Sequence, residues 1–498
     1  MLFNSLEFLI FFPIVVAAYF ILPKKLKQFW LLIASYYFYM CWNAKYIFLI
    51  FFSTVITYGS GLLLENIKTL PVEEKRRTRY KKLTVAFSFL LNLSVLCYFK
   101  YMNYFFSVIA AVFHAAHIEL NVPAFDILLP VGISFYTFQA LSYTMDVYRD
   151  EIYAEKNFFR YALFVSFFPQ LVAGPIERSK NLLRQLDKSQ KFSFEAAREG
   201  LLLMLWGFFL KIVLADRIAL FVNTVYGDSQ TYGGGYLIAA TMLFAMQVYC
   251  DFYGYSVIAA GAAQILGIRL MENFHAPYFA ASVAEFWRRW HISLTSWFRD
   301  YLYIPLGGSR KGKWRGHLNT MIVFLASGLW HGANTSYVIW GGMNGLYKIA
   351  GEIGKPLRDK MISVLKLNRN SLGHRMLQTV ITFVLVDFSL IFFRADGLMD
   401  ALRIMKQIIV VRNPWIFFDG SLYECGLDRA NFWLMMFSLC ILWFADYCKV
   451  KGIQVRQVII RQDYWFRWLF IAFSICGILT FGIWGAGYDA ADFIYFQF

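Results

Sequence analysis

The sequence predicts an all-α, polytopic integral membrane protein. About eleven to thirteen helices are expected, with broken or re-entrant segments around a central cavity. Three observations predict this. First, the 498 residues are 59% hydrophobic and only 16% charged, whereas soluble domains carry roughly 25% charged residues. Second, apolar runs of crossing length recur along the whole chain. Third, Lys and Arg gather in short loops between those runs, the pattern of cytoplasmic loops. The net charge of +16 is thereby accounted for without a basic domain, and nucleic acid is not an expected partner.

A span needs about 17–25 apolar residues to cross the hydrocarbon core. Candidates in order are residues 8–22, 29–41, 46–64, 83–113 (with a break expected near Lys100), 127–148 and 158–172. They continue with 201–222, 236–266, 321–340, 377–393, 432–447 and 468–484. The first run lacks a basic flank and an A-x-A-like site, so it reads as a retained span with the N-terminus outside. The basic stretches 24–27, 68–82, 310–315, 348–375 and 449–467 then belong on the cytoplasmic side. The weakly charged stretches 113–126 and 223–235 and the acidic C-terminus face outward. Runs 158–172 and 321–340 each have charged segments on both flanks. Both read as partial or broken crossings, which are tolerated only inside protein or beside a watery cavity.

The seven cysteines lack C-x-x-C spacing, and Cys41, Cys97, Cys250, Cys440 and Cys476 sit in apolar surroundings. They read as packing residues, and no metal site is expected; His114 and His117 stand without supporting carboxylates or thiols. The expected domain is one transmembrane unit over residues 1–498, containing a cytoplasmic amphipathic and basic segment at 268–318.

Charges inside apolar runs call for a reason. Lys211, Asp216 and Arg217 interrupt 201–222. Asp216 beside Arg217 reads as a compensated pair near an interface, or the group lines a polar path. Gln247 and Asp251 admit the same two readings.

The stretch with the most chemistry runs from Phe286 to Gly332. Phe286, Trp287, Trp290, Leu294, Trp297, Phe298 and Tyr301 recur at helical steps, and Glu285 can pair with Arg289 at i,i+4. One amphipathic interfacial helix is expected over 282–303, with His291 on or beside its aromatic face. His331 lies near the middle of an apolar run, inside Gly328-Leu329-Trp330-His331-Gly332. A neutral imidazole can take a proton from a hydroxyl, and apolar burial keeps it neutral. The plainer readings are a helix-packing His331 and a snorkelling His291. No G-x-S-x-G signature supplies a nucleophile.

These residues also carry a resemblance. Phe286-Trp287-Arg288-Arg289-Trp290-His291, Arg299-Asp300-Tyr301-Leu302-Tyr303-Ile304-Pro305-Leu306-Gly307-Gly308 and Gly328-Leu329-Trp330-His331-Gly332 resemble the membrane-bound O-acyltransferase (MBOAT) family. The likeness continues in Leu129-Pro130-Val131-Gly132-Ile133-Ser134-Phe135, Ala173-Gly174-Pro175-Ile176-Glu177-Arg178 and Ala215-Asp216-Arg217. It extends through Cys250-Asp251-Phe252-Tyr253-Gly254-Tyr255-Ser256 and Phe392-Phe393-Arg394-Ala395. Within the family, the chain looks most like the membrane subunit of bacterial alginate and peptidoglycan O-acetylation systems.

The resemblance implies a bacterial inner-membrane enzyme that moves an acyl group, acetyl by preference, from a cytoplasmic thioester such as acetyl-CoA to a hydroxyl. It implies His331 as the catalytic histidine and His291 as its partner. Trp330, Asn334 or a backbone N–H are candidate oxyanion donors, and Arg289, Asp300, Lys211 and Asp251 are candidates to line the donor's path. No bound cofactor or metal is expected. Implied partners are membrane lipid, a polysaccharide acceptor and an extracytoplasmic acyltransferase of the SGNH-hydrolase type, docking on 395–429 and the tail 488–498. D-alanyl transfer to teichoic acid from a carrier protein is the alternative within the family. A non-catalytic lipid or glycan transporter is the alternative outside it, although no internal repeat points there.

Overall fold

A computed structural model describes residues 1–115, 117–118, 130–172, 174–483 and 494. Leu129 and Ala173 of the motifs above, and the tail 488–498 apart from Ile494, lie outside the described residues. Every regular element among the described residues is helical. In order they are α1 (Leu6–Ile21), α2 (Lys24–Met40), α3 (Ile47–Thr69), α4 (Glu74–Ala115), α5 (Ile133–Tyr148), α6 (Phe158–Ser166), α7 (Phe168–Leu171), α8 (Ser179–Asp187) and α9 (Phe194–Phe208). A π-helical stretch, Phe209–Ala215, joins α9 to α10 (Asp216–Gly227). Next come α11 (Gly234–Ile265), α12 (Val283–Arg289), α13 (Ile292–Phe298), a second π turn at Arg299–Tyr303, α14 (Lys313–His331) and α15 (Thr335–Ile353). The series ends with α16 (Lys355–Val364), α17 (Leu372–Arg394), α18 (Leu398–Val410), α19 (Ile416–Asp419), α20 (Arg429–Val450), α21 (Val455–Ile460) and α22 (Tyr464–Phe481).

Among the described residues, 6 helices are long and apolar enough to cross a membrane: α3 with its leading turn, α4, α11, α17, α20 and α22. Other expected spans fall on shorter or interrupted helices. The expected break near Lys100 is absent. Helix α4 runs on for 42 residues, and its sequence holds neither Pro nor Gly to interrupt it.

The chain forms two compact units. The first comprises Met1–Leu201 and Ala259–Met271. Here the run 158–172 is broken at Phe167, because Pro169 near the start of α7 could not sit in the interior of a continuous helix. The Phe164 carbonyl near the end of α6 instead accepts from the Gln139 and Gln170 side chains, at 2.5 and 2.9 Å. Both donors are buried, so a freed carbonyl at depth keeps its partners.

The second unit comprises Leu202–Ile258 and Glu272–Phe498. Its densest pairing is α14 against α15. A Cβ on Gly341 would stand 2.3 Å from the Phe324 carbonyl oxygen, and one on Gly328 equally close to that of Tyr337. Only glycine allows backbones to approach so closely. The run 321–340 is broken as well, since α14 stops at His331 and α15 begins at Thr335.

The π turn of this unit corrects one expectation. Asp216 does not pair with Arg217, because neighbouring residues on a helix point apart. The wider turn sets Asp216 against Lys211 at 2.8 Å, and Asp251 of α11 meets the same ammonium at 2.9 Å. The Arg217 guanidinium donates instead to the carbonyls of Val213 and Phe481, at 2.5 and 2.7 Å, and to the Asn431 side chain.

Candidate active site

The segment expected as one amphipathic helix is two. Helix α12 starts on Ser282, whose hydroxyl accepts from the Glu285 N–H at 3.2 Å. The Glu285 carboxylate meets Arg289 at 2.5 Å, the pair that the spacing predicts. Trp290 is extended, and His291 adopts the left-handed conformation at φ 42°, ψ 55°. That geometry is rare for a residue with a Cβ and costs roughly 1–3 kcal/mol unless its surroundings enforce it.

Asn273 enforces it. Its backbone carbonyl accepts from the Ile292 N–H at 2.9 Å. Its side-chain Oδ1 accepts from the Ser293 N–H at 3.2 Å and from the Ser293 hydroxyl at 2.9 Å. The His275 N–H meets the Arg289 carbonyl at 2.9 Å, so 273–275 runs alongside 289–293. The chain therefore turns at His291 because a distant segment satisfies its backbone, an effect that helical spacing cannot register.

The same amide fixes the chemistry of the ring. Nδ1 of His291 lies 3.1 Å from Asn273 Oδ1. A backbone N–H can only donate, so the atom receiving the Ser293 N–H is the amide oxygen. Nδ1 must then carry the proton, which leaves the lone pair of a neutral ring on Nε2. Asn273 is held in turn by donating to the Ser256 hydroxyl at 3.2 Å. His291 is 1% exposed, and burial pushes its pKa down to about 3. The ring is neutral at physiological pH.

Aromatic residues enclose it. Phe252 packs edge-on at 4.6 Å between ring centres, and Trp330 lies at 6.0 Å. Trp330 also stands edge-on to His331 at 4.9 Å. One indole thus touches both imidazoles. His331 ends α14 and is 6% exposed, with Trp340 at 5.0 Å and Phe393 at 5.2 Å on its other sides. The close of α14 is tight: a Cβ on Gly332 would lie 2.2 Å from the Tyr337 ring. Imidazoles buried among aromatic rings can meet a hydroxyl without first shedding water, and at His291 the lowered pKa favours accepting a hydrogen bond over taking the proton.

The remaining expected site residues have other surroundings. Asn334 caps α15, accepting from the Ser336 N–H at 3.0 Å. Arg289 pairs with Glu285, and Asp300 lies 2.8 Å from Arg299 on the second π turn. Lys211 and Asp251 come together with Asp216 as a buried ion cluster. Asp251 is next in sequence to Phe252, so one motif on α11 supplies Asp251 to Lys211, Phe252 to His291 and Ser256 to Asn273. Sequence reasoning missed Asn273, which lies 18 residues from His291 with no pattern linking them. It also missed Ser293. The motif residues Ser256, Phe252 and Phe393 were visible, but their roles were not.

Comparison with known proteins agrees with this picture. Residues 34–361 match the model of the membrane-bound O-acyltransferase family. The chain is 36% identical to the probable alginate O-acetylase AlgI of Pseudomonas aeruginosa, over 86% of this chain and 78% of the relative. It is 29% identical to the peptidoglycan O-acetyltransferase of Helicobacter pylori, over 100% of this chain and 98% of the relative. A teichoic acid D-alanyltransferase of Bacillus subtilis is 28% identical over 45% of this chain and 60% of that protein. With its long apolar helices and its buried pair of histidines, this chain belongs to the membrane-bound O-acyltransferase family and is a multi-pass O-acyltransferase.

Proposed function

We propose that the protein takes an acetyl group from acetyl-CoA on the cytoplasmic side and passes it toward a cell-envelope polysaccharide outside a bacterial inner membrane. His331 acts as general base, removing the proton from the acceptor hydroxyl as its oxygen attacks the thioester carbonyl. The C–S bond breaks, an oxygen ester forms, and the proton leaves with the thiolate as free coenzyme A. General-base assistance of this kind contributes about 10²–10⁴-fold. His291, held neutral with its lone pair on Nε2, orients the reacting group by accepting a hydrogen bond. The observation that carries the reading is Trp330 in contact with both imidazoles. The acetyl reading is favoured because the alginate O-acetylase relative matches 86% of the chain and the D-alanyltransferase 45%.

An extracytoplasmic acyltransferase of the SGNH type finishes the transfer, docking on 395–429. Support comes from the apolar side chains displayed there: Met399 is 73% exposed, Val410 66% and Phe418 91%. The orientation follows the basic stretches, with the exposed Arg310, Lys311, Lys313 and Arg315 on the donor side. Reconstitution into liposomes with external acetyl-CoA and enclosed polysaccharide tests the scheme. Acetylation is expected only when the partner is enclosed with the polysaccharide. Full-rate acetylation by the chain alone would remove the partner, and transfer only from a D-alanyl carrier protein would remove the acetyl donor.

A further inference from the structure

The first unit contains a cavity of about 400 Å³ between the start of α2, the end of α8 and the chain after α8. We infer that it is a binding site for the phosphate headgroup of an anionic phospholipid. Its size falls in the range of ligand pockets, about 300–1,000 Å³. Lys24, Lys25, Lys27 and Lys188 line it. The one carboxylate in the lining, Asp187, is taken by Arg160 at 2.6 Å. Lys24, Lys25 and Lys188 have no ion-pair partner among the described residues.

The placement of these cations is unfavourable without an anion. Lys24, Lys25 and Lys27 occupy the first turn of α2, where the helix dipole is positive and acidic residues belong. Pro23 precedes them, and no side chain caps the turn. A phosphate would answer both the ammonium charges and the first N–H groups of the helix. The walls are fixed rather than loose. Lys27 donates to the Gln190 carbonyl at 3.0 Å, and the Gln28 side chain donates to the Leu186 carbonyl at 2.7 Å.

The surroundings select a lipid over a free phosphate. Apolar side chains stand exposed on the neighbouring elements: Ile21 at 83%, Leu26 and Phe29 at 47% each, and Phe192 at 57%. Apolar α1 ends at Ile21, immediately before the lysines. A headgroup in the cavity would therefore lie at the level where the apolar surface gives way to charge, with acyl chains along α1 and α2. Basic pockets at such a level attract anionic headgroups at roughly 1 kcal/mol per cation.

The test uses the full-length purified protein in detergent, with thermal unfolding and native mass spectrometry read against added lipid. Phosphatidylglycerol is expected to bind and raise Tm, while phosphatidylcholine and inorganic phosphate do not. In the triple variant Lys24→Gln/Lys25→Gln/Lys188→Gln, affinity for phosphatidylglycerol should fall about a hundredfold. A matched triple on the second unit, Lys355→Gln/Lys360→Gln/Lys366→Gln, should bind as the parent does. All three altered positions in the first unit are exposed, and an unchanged size-exclusion profile verifies folding. Equal binding of both lipids would overturn the assignment, as would equal losses in both triples. Inorganic phosphate filling the site in place of lipid would also overturn it.

Discussion

Replacing Asn273 is expected to disable His291 without touching it. In Asn273→Ala, the buried Ser293 N–H and His291 Nδ1–H lose the oxygen that accepts from both, at 3.2 and 3.1 Å. Each unanswered buried donor costs about 1–3 kcal/mol. The ring is then free to exchange tautomers, and the left-handed turn loses its clamp. Roughly 1–3 kcal/mol of lost orientation corresponds to a fall in kcat/KM of about 5- to 150-fold. Asn273→Asp separates positioning from stability. It keeps an acceptor but sets a negative charge beside the imidazole, which favours the imidazolium and raises the His291 pKa. The acid limb of its pH–rate profile should therefore move to higher pH, while that of Asn273→Ala should stay put. Rates are read as acetyl transfer from radiolabelled acetyl-CoA by purified protein with its partner. A wild-type kcat/KM in Asn273→Ala, or an unmoved acid limb in Asn273→Asp, would refute the assigned tautomer and its role.

Four further outcomes are expected. His331→Ala should abolish transfer while leaving membrane insertion intact, and His291→Ala should impair it less completely; near-normal transfer by the first variant would end the catalytic assignment. Because burial lowers the His291 pKa to about 3, the unfolded chain binds more protons than the folded one between that value and the ordinary histidine range. Stability should thus be flat above pH 6.5 and fall as pH drops, by about 2 kcal/mol at pH 5; a His291→Gln variant with the same acid slope would contradict this. Lys211→Met strips Asp216 and Asp251 of their ammonium and should destabilise the protein by about 3–5 kcal/mol. The added changes Asp216→Asn and Asp251→Asn should restore part of the loss in a detergent melting assay, and no recovery would argue against the ion cluster as the cause. A cysteine label at Gly312 should react only from the cytoplasm, and one at the exposed Gln230 only from outside; reversed accessibility would invert the donor's side.

The sequence by itself determined what short-range physics controls. Apolar runs of crossing length require helices, because backbone polar groups in lipid must be satisfied within the segment. The Glu285–Arg289 contact follows from i,i+4 spacing, and the breaks in 158–172 and 321–340 were legible from the charged segments on both flanks of each run. The order of the motifs pointed to the family, and so to the two histidines. Tertiary structure decided the rest. The turn at His291 and its tautomer depend on Asn273, its neutrality depends on burial among distant elements, and Asp216 meets Lys211 because a π turn changes the spacing. Helical periodicity describes only residues within a few positions of one another. A backbone angle set by an amide 18 residues away, or an ammonium shared with a third element, has no signature at that range. Such groups acquire their properties only when packing excludes water and leaves each of them a single partner geometry.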